Sequence, residues 1–255
     1  MPGTVEQGRA GFAQALAAEW TKLRTVRSAL WTLAAMAAFV IGIAVFVGAT
    51  GSLQPDDTVL GGSLTGATFG LLVGASVGVL VISRDYAAGT IGATLMACPR
   101  RGVVLAAKAT VTAAVMFGVA LAACFLAFQV GTVMLADGYA PGAPMPALVG
   151  VALCFSVTGV LGLAMGTVLR HSAGAITTMV AVLLLPTMVG PLLGSWERWV
   201  AGATPVAAMQ KLAQSSDAAP DAVGSLGAWP SLWLVCGYGL VALVGAVLMF
   251  RHRDA

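Results

Sequence analysis

The chain has 255 residues, 59% of them apolar and only 9% charged, with a formal net charge of +3. About a quarter of a soluble domain is charged, so a water-soluble enzyme or nucleic-acid binder is excluded and an all-α integral membrane protein is expected. The length suits a single transmembrane domain over residues 1–255, built as one bundle of spans. Cys98, Cys124, Cys154 and Cys236 are widely scattered. They read as small packing residues, without the spacing of a disulfide framework or a zinc site. The preference for Ala, Gly and Val, and for Arg over Lys, suits a GC-rich bacterial genome.

Residues 1–10 are small and polar and are expected to fray. Phe12, Leu16, Trp20 and Leu23 then recur at helical spacing, with Glu19, Lys22, Arg24 and Arg27 filling the remaining positions. This predicts an amphipathic helix over 12–27 lying in the membrane interface, its apolar face among the acyl chains. No small-residue cleavage site stands out, so the segment is not read as a removable signal peptide. Between Arg27 and Asp56 there is no charge, and a first span is expected at about 30–48. Gln54-Pro55-Asp56-Asp57 makes a turn, and the next charge-free run predicts a second span over about 59–83. Within it Gly62, Gly66, Gly70, Gly74 and Gly78 recur every four residues. Such a stripe admits the backbone of a neighbouring helix; the alternative is that it lines a conduit.

Arg84, Asp85 and Tyr86 open a polar island that runs to Arg100 and Arg101 between two long apolar segments. Charged side chains are costly in hydrocarbon, so the island is placed at the membrane surface, where another protein can touch it. Thr90 is suited to cap a short helix after Gly89, and Pro99 to stop it. An ordinary interfacial loop is the other reading. A third span is expected at about 104–134, with Lys108 near its start snorkelling toward water. Residues 102–110 lack the second glycine of a phosphate loop. Spans four and five are expected at about 147–169 and 174–193, the latter containing both Pro186 and Pro191. His171, beside Arg170, reads as a solvated loop residue. A long outer segment from Ser195 carries Trp196, Glu197, Arg198, Trp199 and Thr204-Pro205. A sixth span at about 231–250 ends in Arg251-His252-Arg253.

With both termini in the cytoplasm, only Arg198 and Lys211 of the 13 Lys and Arg residues lie outside, as the positive-inside rule requires. Trp20 and Trp31 fall at the inner boundary and Trp196, Trp199, Trp229 and Trp233 at the outer one. No ionisable residue falls in the middle of a predicted span, which removes most support for an ion-coupled carrier. No metal-ligand cluster, catalytic triad or carboxylate pair is evident, so no catalytic or metal site is assigned. Energy for any transport must then come from another chain.

Two stretches carry a family resemblance. Glu19-Trp20-Thr21-Lys22-Leu23-Arg24-Thr25-Val26-Arg27-Ser28, followed by a span opening at Trp31, resembles the elbow helix of the ABC transporter type-2 permeases. Asp85-Tyr86-Ala87-Ala88-Gly89-Thr90-Ile91, with Leu95 and then Pro99-Arg100-Arg101 ahead of Lys108, is similar to that family's coupling segment, here 84–101. The family more often has glutamate where this chain has Asp85. The resemblance extends in topology over the whole chain, including the outer segment between spans five and six, which in the family forms re-entrant helices.

It implies a permease subunit of a bacterial plasma-membrane exporter, paired with a second permease copy, identical or not, and two cytosolic ATPase subunits. ATP and Mg would be bound by those partners and no cofactor by this chain. Arg84, Asp85, Tyr86, Gly89, Thr90, Ile91 and Leu95 would couple to the ATPase, and Arg100 and Arg101 would hold inner headgroups. An apolar path with Thr65, Thr68, Phe69, Met179 and Met188 as candidate contacts would favour a lipid, a drug-like natural product or an apolar peptide. The competing expectation is a membrane anchor or regulatory subunit that moves nothing.

Overall fold

The computed structural model describes residues 11–53, 56–87, 89, 101–135, 138–215, 218 and 223–253. Among them, six helices are long and apolar enough to cross a membrane, and no β-strand forms. The chain begins with α1 (Phe12–Thr25). Val26 then takes an extended conformation and α2 (Arg27–Thr50) follows. One stripe of α2, Ala29, Leu33, Met36, Val40, Ala44 and Val47, is buried at helical spacing. Gly51 closes the helix in the left-handed region at φ +62°, where a side chain would be strained.

The second predicted span is not continuous from residue 59. Thr58 caps a short helix α3 (Val59–Ser63), its Oγ1 accepting from the Gly61 N–H at 2.9 Å. The spanning helix α4 (Ala67–Ala87) begins only after Gly66. Gly62 therefore belongs to α3, and the repeat is split between two elements. The reason is packing: a Cβ on Gly66 would stand 2.7 Å from the Phe39 carbonyl oxygen, so α2 meets the chain backbone-on at the break. At its other end α4 runs past the expected boundary to Ala87, which puts Arg84, Asp85 and Tyr86 on the spanning helix itself.

The third span is α5 (Arg101–Met134), whose 34 residues rise about 51 Å, well beyond the roughly 30 Å of hydrocarbon. The fourth, α6 (Pro144–Leu169), is the axis of the bundle, with 72% of its spanning window buried. It packs against α4, α5 and the last helix. Gly70 and Gly74 face Val40, Met36, Met116 and Phe155. At Gly78 the approach to α6 is closest, since a Cβ there would collide with the Gly159 carbonyl oxygen. A Cβ on Gly162 would likewise collide with the carbonyl oxygen of Ala75. Glycines on both helices thus permit backbone contact, the geometry that drives helix association where no water is expelled. Ser156 adds a bond between spans, donating to the Ala113 carbonyl at 2.9 Å.

The fifth span, α7 (Ser172–Val189), is capped by His171, whose Nδ1 accepts from the Gly174 N–H at 3.1 Å. It includes Pro186 but ends before Pro191, which lies in a 3-10 helix (Gly190–Trp196), so the expected span over 174–193 is shorter at its end. After α8 (Glu197–Val200), Thr204 caps α9 (Pro205–Leu212), its Oγ1 accepting from the Ala207 N–H. Six of the eight residues of α9 are buried, packed against α4, α6 and α10 (Ala228–Arg253). Lys211 Nζ donates to the Leu226 carbonyl and Ser231 Oγ, and Gln214 makes two hydrogen bonds to the backbone of Ala143. The segment around α9 is therefore built into the bundle.

Candidate functional site

Polar and charged groups gather at one end of the bundle, where α1 packs on the start of α5 and Lys108 links it to the C-terminal end of α4. Their centre is Lys108, two turns into α5 and only 3% exposed. Its ammonium contacts Glu19 Oε2 on α1 and Asp85 Oδ2 on α4, the latter at 2.8 Å. Glu19 is itself 5% exposed and takes a second cation, Lys22, at 2.8 Å. Three elements distant in sequence are thus joined through one buried ammonium.

This corrects two sequence expectations. Lys108 does not snorkel: it is buried, and its charge is met by carboxylates from two neighbours. Glu19, expected on the polar face of the amphipathic helix, is with Leu23 one of the two buried residues of α1. Phe12 and Trp20, of the apolar stripe, are nearly half exposed on the outer side. The cause is that burial of an ion pair is tolerable only when both charges go in together, and no pattern in one helix can reveal a partner 89 residues away. An acidic residue on an apolar-sided helix and a lysine inside a charge-free run are the two available signals, and nothing in the sequence connects them.

The platform beneath the cluster is a separate apolar group, Ile82, Leu105, Ala109, Leu163, Ala164 and Ala246, which locks the ends of α4, α5, α6 and α10 together. Tyr86 packs at its edge and lies 5.4 Å under the guanidinium of Arg170, which ends α6 in the left-handed region at φ +52°. Arg24 stacks similarly over Trp20 on α1. Arg84 is half-buried beside Asp85. Gly89 stands exposed at φ +64°, its N–H bonded to the Tyr86 carbonyl in a turn whose conformation favours glycine. Thr90, Ile91, Leu95, Pro99 and Arg100 lie outside the described residues.

The candidate path residues are not brought together. Thr65 and Phe69 are exposed and Thr68 half-buried at the start of α4 and its approach. Met188 is 74% exposed at the end of α7, whereas Met179 is fully buried in the core. In the single chain Met179 is a packing residue, with no surface to offer a substrate.

The fold and this charged end define a multi-pass membrane protein with six spans, whose first helix is tied by ion pairs to the second and third spans. No protein-family model and no curated protein matches the chain in sequence.

Proposed function

We propose that the chain is the permease subunit of an ATP-binding-cassette exporter in a bacterial plasma membrane, with both termini cytoplasmic. The observation that carries this is the joint at Lys108. A short helix ahead of the first span, which on this reading is the elbow helix, is clamped by Glu19 and Lys108 to the end of α4, where the coupling segment departs. A push on residues 84–101 by a cytosolic ATPase would be delivered through Asp85 and Lys108 to α1, α4 and α5 as one unit. Switching of this kind needs a contact that differs between two states, and a buried ion pair is a stiff element through which to transmit it.

On this reading ATP and Mg are held by two partner ATPase subunits, and a second permease copy completes the conduit. The exposed Phe69 and Met188 faces of α4 and α7 are available to that copy, and their apolar character suits a hydrophobic or amphipathic cargo. The buried α9 would be part of a re-entrant hairpin closing the outer end.

Purification of the tagged full-length protein from its native membrane in mild detergent, with co-purifying chains identified by mass spectrometry, tests this. A near-stoichiometric soluble ATPase with a phosphate loop, lost when residues 85–90 are scrambled, is the expected result. Intact membrane complexes without such an ATPase would overturn the proposal in favour of an anchor or regulatory subunit.

A further inference from the structure

Beside the ion-pair cluster, and sharing Glu19, Asp85 and Lys108 with it, lies a cavity of about 290 Å³. Its walls are apolar and come from four helices and the joint between the first two: Leu23 of α1, Val26 at the joint, Ala29 of α2, Val81 of α4 and Val111 of α5. Its rim is charged, with Lys22, Arg84 and Lys108 against Glu19 and Asp85. Three cations thus face two carboxylates. Lys108 and Lys22 are committed to ion pairs, while Arg84 makes none among the described residues. Thr112 also lines the cavity, and its hydroxyl is buried with no hydrogen-bond partner among the described residues. A buried hydroxyl left unbonded is destabilising, a cost that a ligand oxygen would relieve.

An apolar slot with a cationic rim and an unbonded hydroxyl selects an amphiphile with an anionic head. The volume is near the lower end for small-molecule pockets and admits part of one hydrocarbon chain, so the rest of the molecule must remain outside. The exposed Phe12 and Trp20 of α1 mark the depth at which aromatic side chains meet headgroups. We propose that the cavity seats one acyl chain of an acidic phospholipid between α1 and the spans. Arg84 holds its phosphate, and Thr112 donates to an ester oxygen. The lipid fills the gap between the first helix and the bundle and so fixes the angle at which α1 leaves the spans. This holds whether or not the chain transports anything.

The test uses full-length protein delipidated in mild detergent, titrated with phosphatidylglycerol or phosphatidylcholine and followed by native mass spectrometry and by the thermal unfolding midpoint. One phosphatidylglycerol is expected to be retained and to raise the midpoint, with phosphatidylcholine bound more weakly, because it shares the phosphate but brings a trimethylammonium cation to a rim that already holds Lys22, Arg84 and Lys108. Arg84→Gln should weaken phosphatidylglycerol about tenfold through loss of the charge-assisted hydrogen bond to its phosphate. Val26→Trp should fill the slot and abolish retention. Thr112→Val should raise the midpoint of the lipid-free protein while shrinking the increment that lipid adds, a pairing that a purely structural threonine would not give. Equal retention of both lipids, or unchanged phosphatidylglycerol binding in Arg84→Gln, would overturn the inference. Stabilisation by inorganic phosphate equal to that by phosphatidylglycerol would also overturn it, leaving an anion site with no acyl chain. If Val26→Trp does not fold, the Arg84→Gln and Thr112→Val comparisons still decide the matter.

Discussion

Lys108 and Gly78 show how much single residues carry here. Removing one member of a buried ion pair exposes the remaining charge to an apolar medium, at about 3–5 kcal/mol. Lys108→Ala leaves Glu19 with Lys22 as its remaining ion-pair partner, so a clear fall in the thermal unfolding midpoint is expected. The triple change Glu19→Gln, Asp85→Asn, Lys108→Met removes all three charges and should recover most of that loss. Failure of the triple variant to improve on Lys108→Ala would mean that the cluster is held by shape and not by charge. Glycine positions allow an equally sharp contrast. Gly78→Ala forces a Cβ onto the Gly159 carbonyl and should separate α4 from α6, whereas Gly118, where a Cβ would meet nothing within 4 Å, should accept alanine without loss. Midpoints of the two variants measured side by side check this.

Among the elements, the end of α4 is the one whose position decides function on the transport proposal. The helix continues through Asp85 to Ala87 because Tyr86 and Ile82 pack on the inner cluster and Asp85 is held by Lys108. It then turns off at Gly89. Replacing Gly89 by Val puts a β-branched residue at φ +64°, a strain of order 1–3 kcal/mol, and should redirect the segment that follows. ATP-driven export should then fall while the folded fraction and the thermal midpoint change little. Export that survives both Gly89→Val and a bulky replacement of Thr90 would remove the coupling role. The outer elements behave oppositely. α9 is short but buried, anchored by Thr204, Lys211 and Gln214, so Lys211→Met is expected to loosen the loop before α10 without touching the inner end.

For the whole molecule, the arrangement predicts sidedness. Glu19, Asp85, Lys108, Arg170 and the start of α7 share one end, while Ser52, α3 and α9 share the other, and on the proposed topology, drawn from the bias of Lys and Arg, the first end is the cytoplasmic one. In a Cys98→Ser background, a cysteine at exposed Ser52 should react with a membrane-impermeant maleimide in intact cells. One at exposed His171 should react only after permeabilisation. The reverse pattern would invert the topology and overturn the proposal that a cytoplasmic ATPase engages the end of α4.

Six apolar runs, their approximate ends and the clustering of charge at one side follow from the sequence by itself, because the cost of placing charge in hydrocarbon is incurred locally, residue by residue. The glycine repeat likewise announces close packing, although not that Gly62 lies on a separate helix. Tertiary structure alone decided that the second span starts at Ala67, that Pro191 lies beyond the fifth span, and that α9 is buried. It alone turned Glu19 inward to meet Lys108. Each of these depends on groups far apart in the chain, and the free energy of an ion pair or a backbone contact belongs to both partners, so neither partner's own neighbourhood records it.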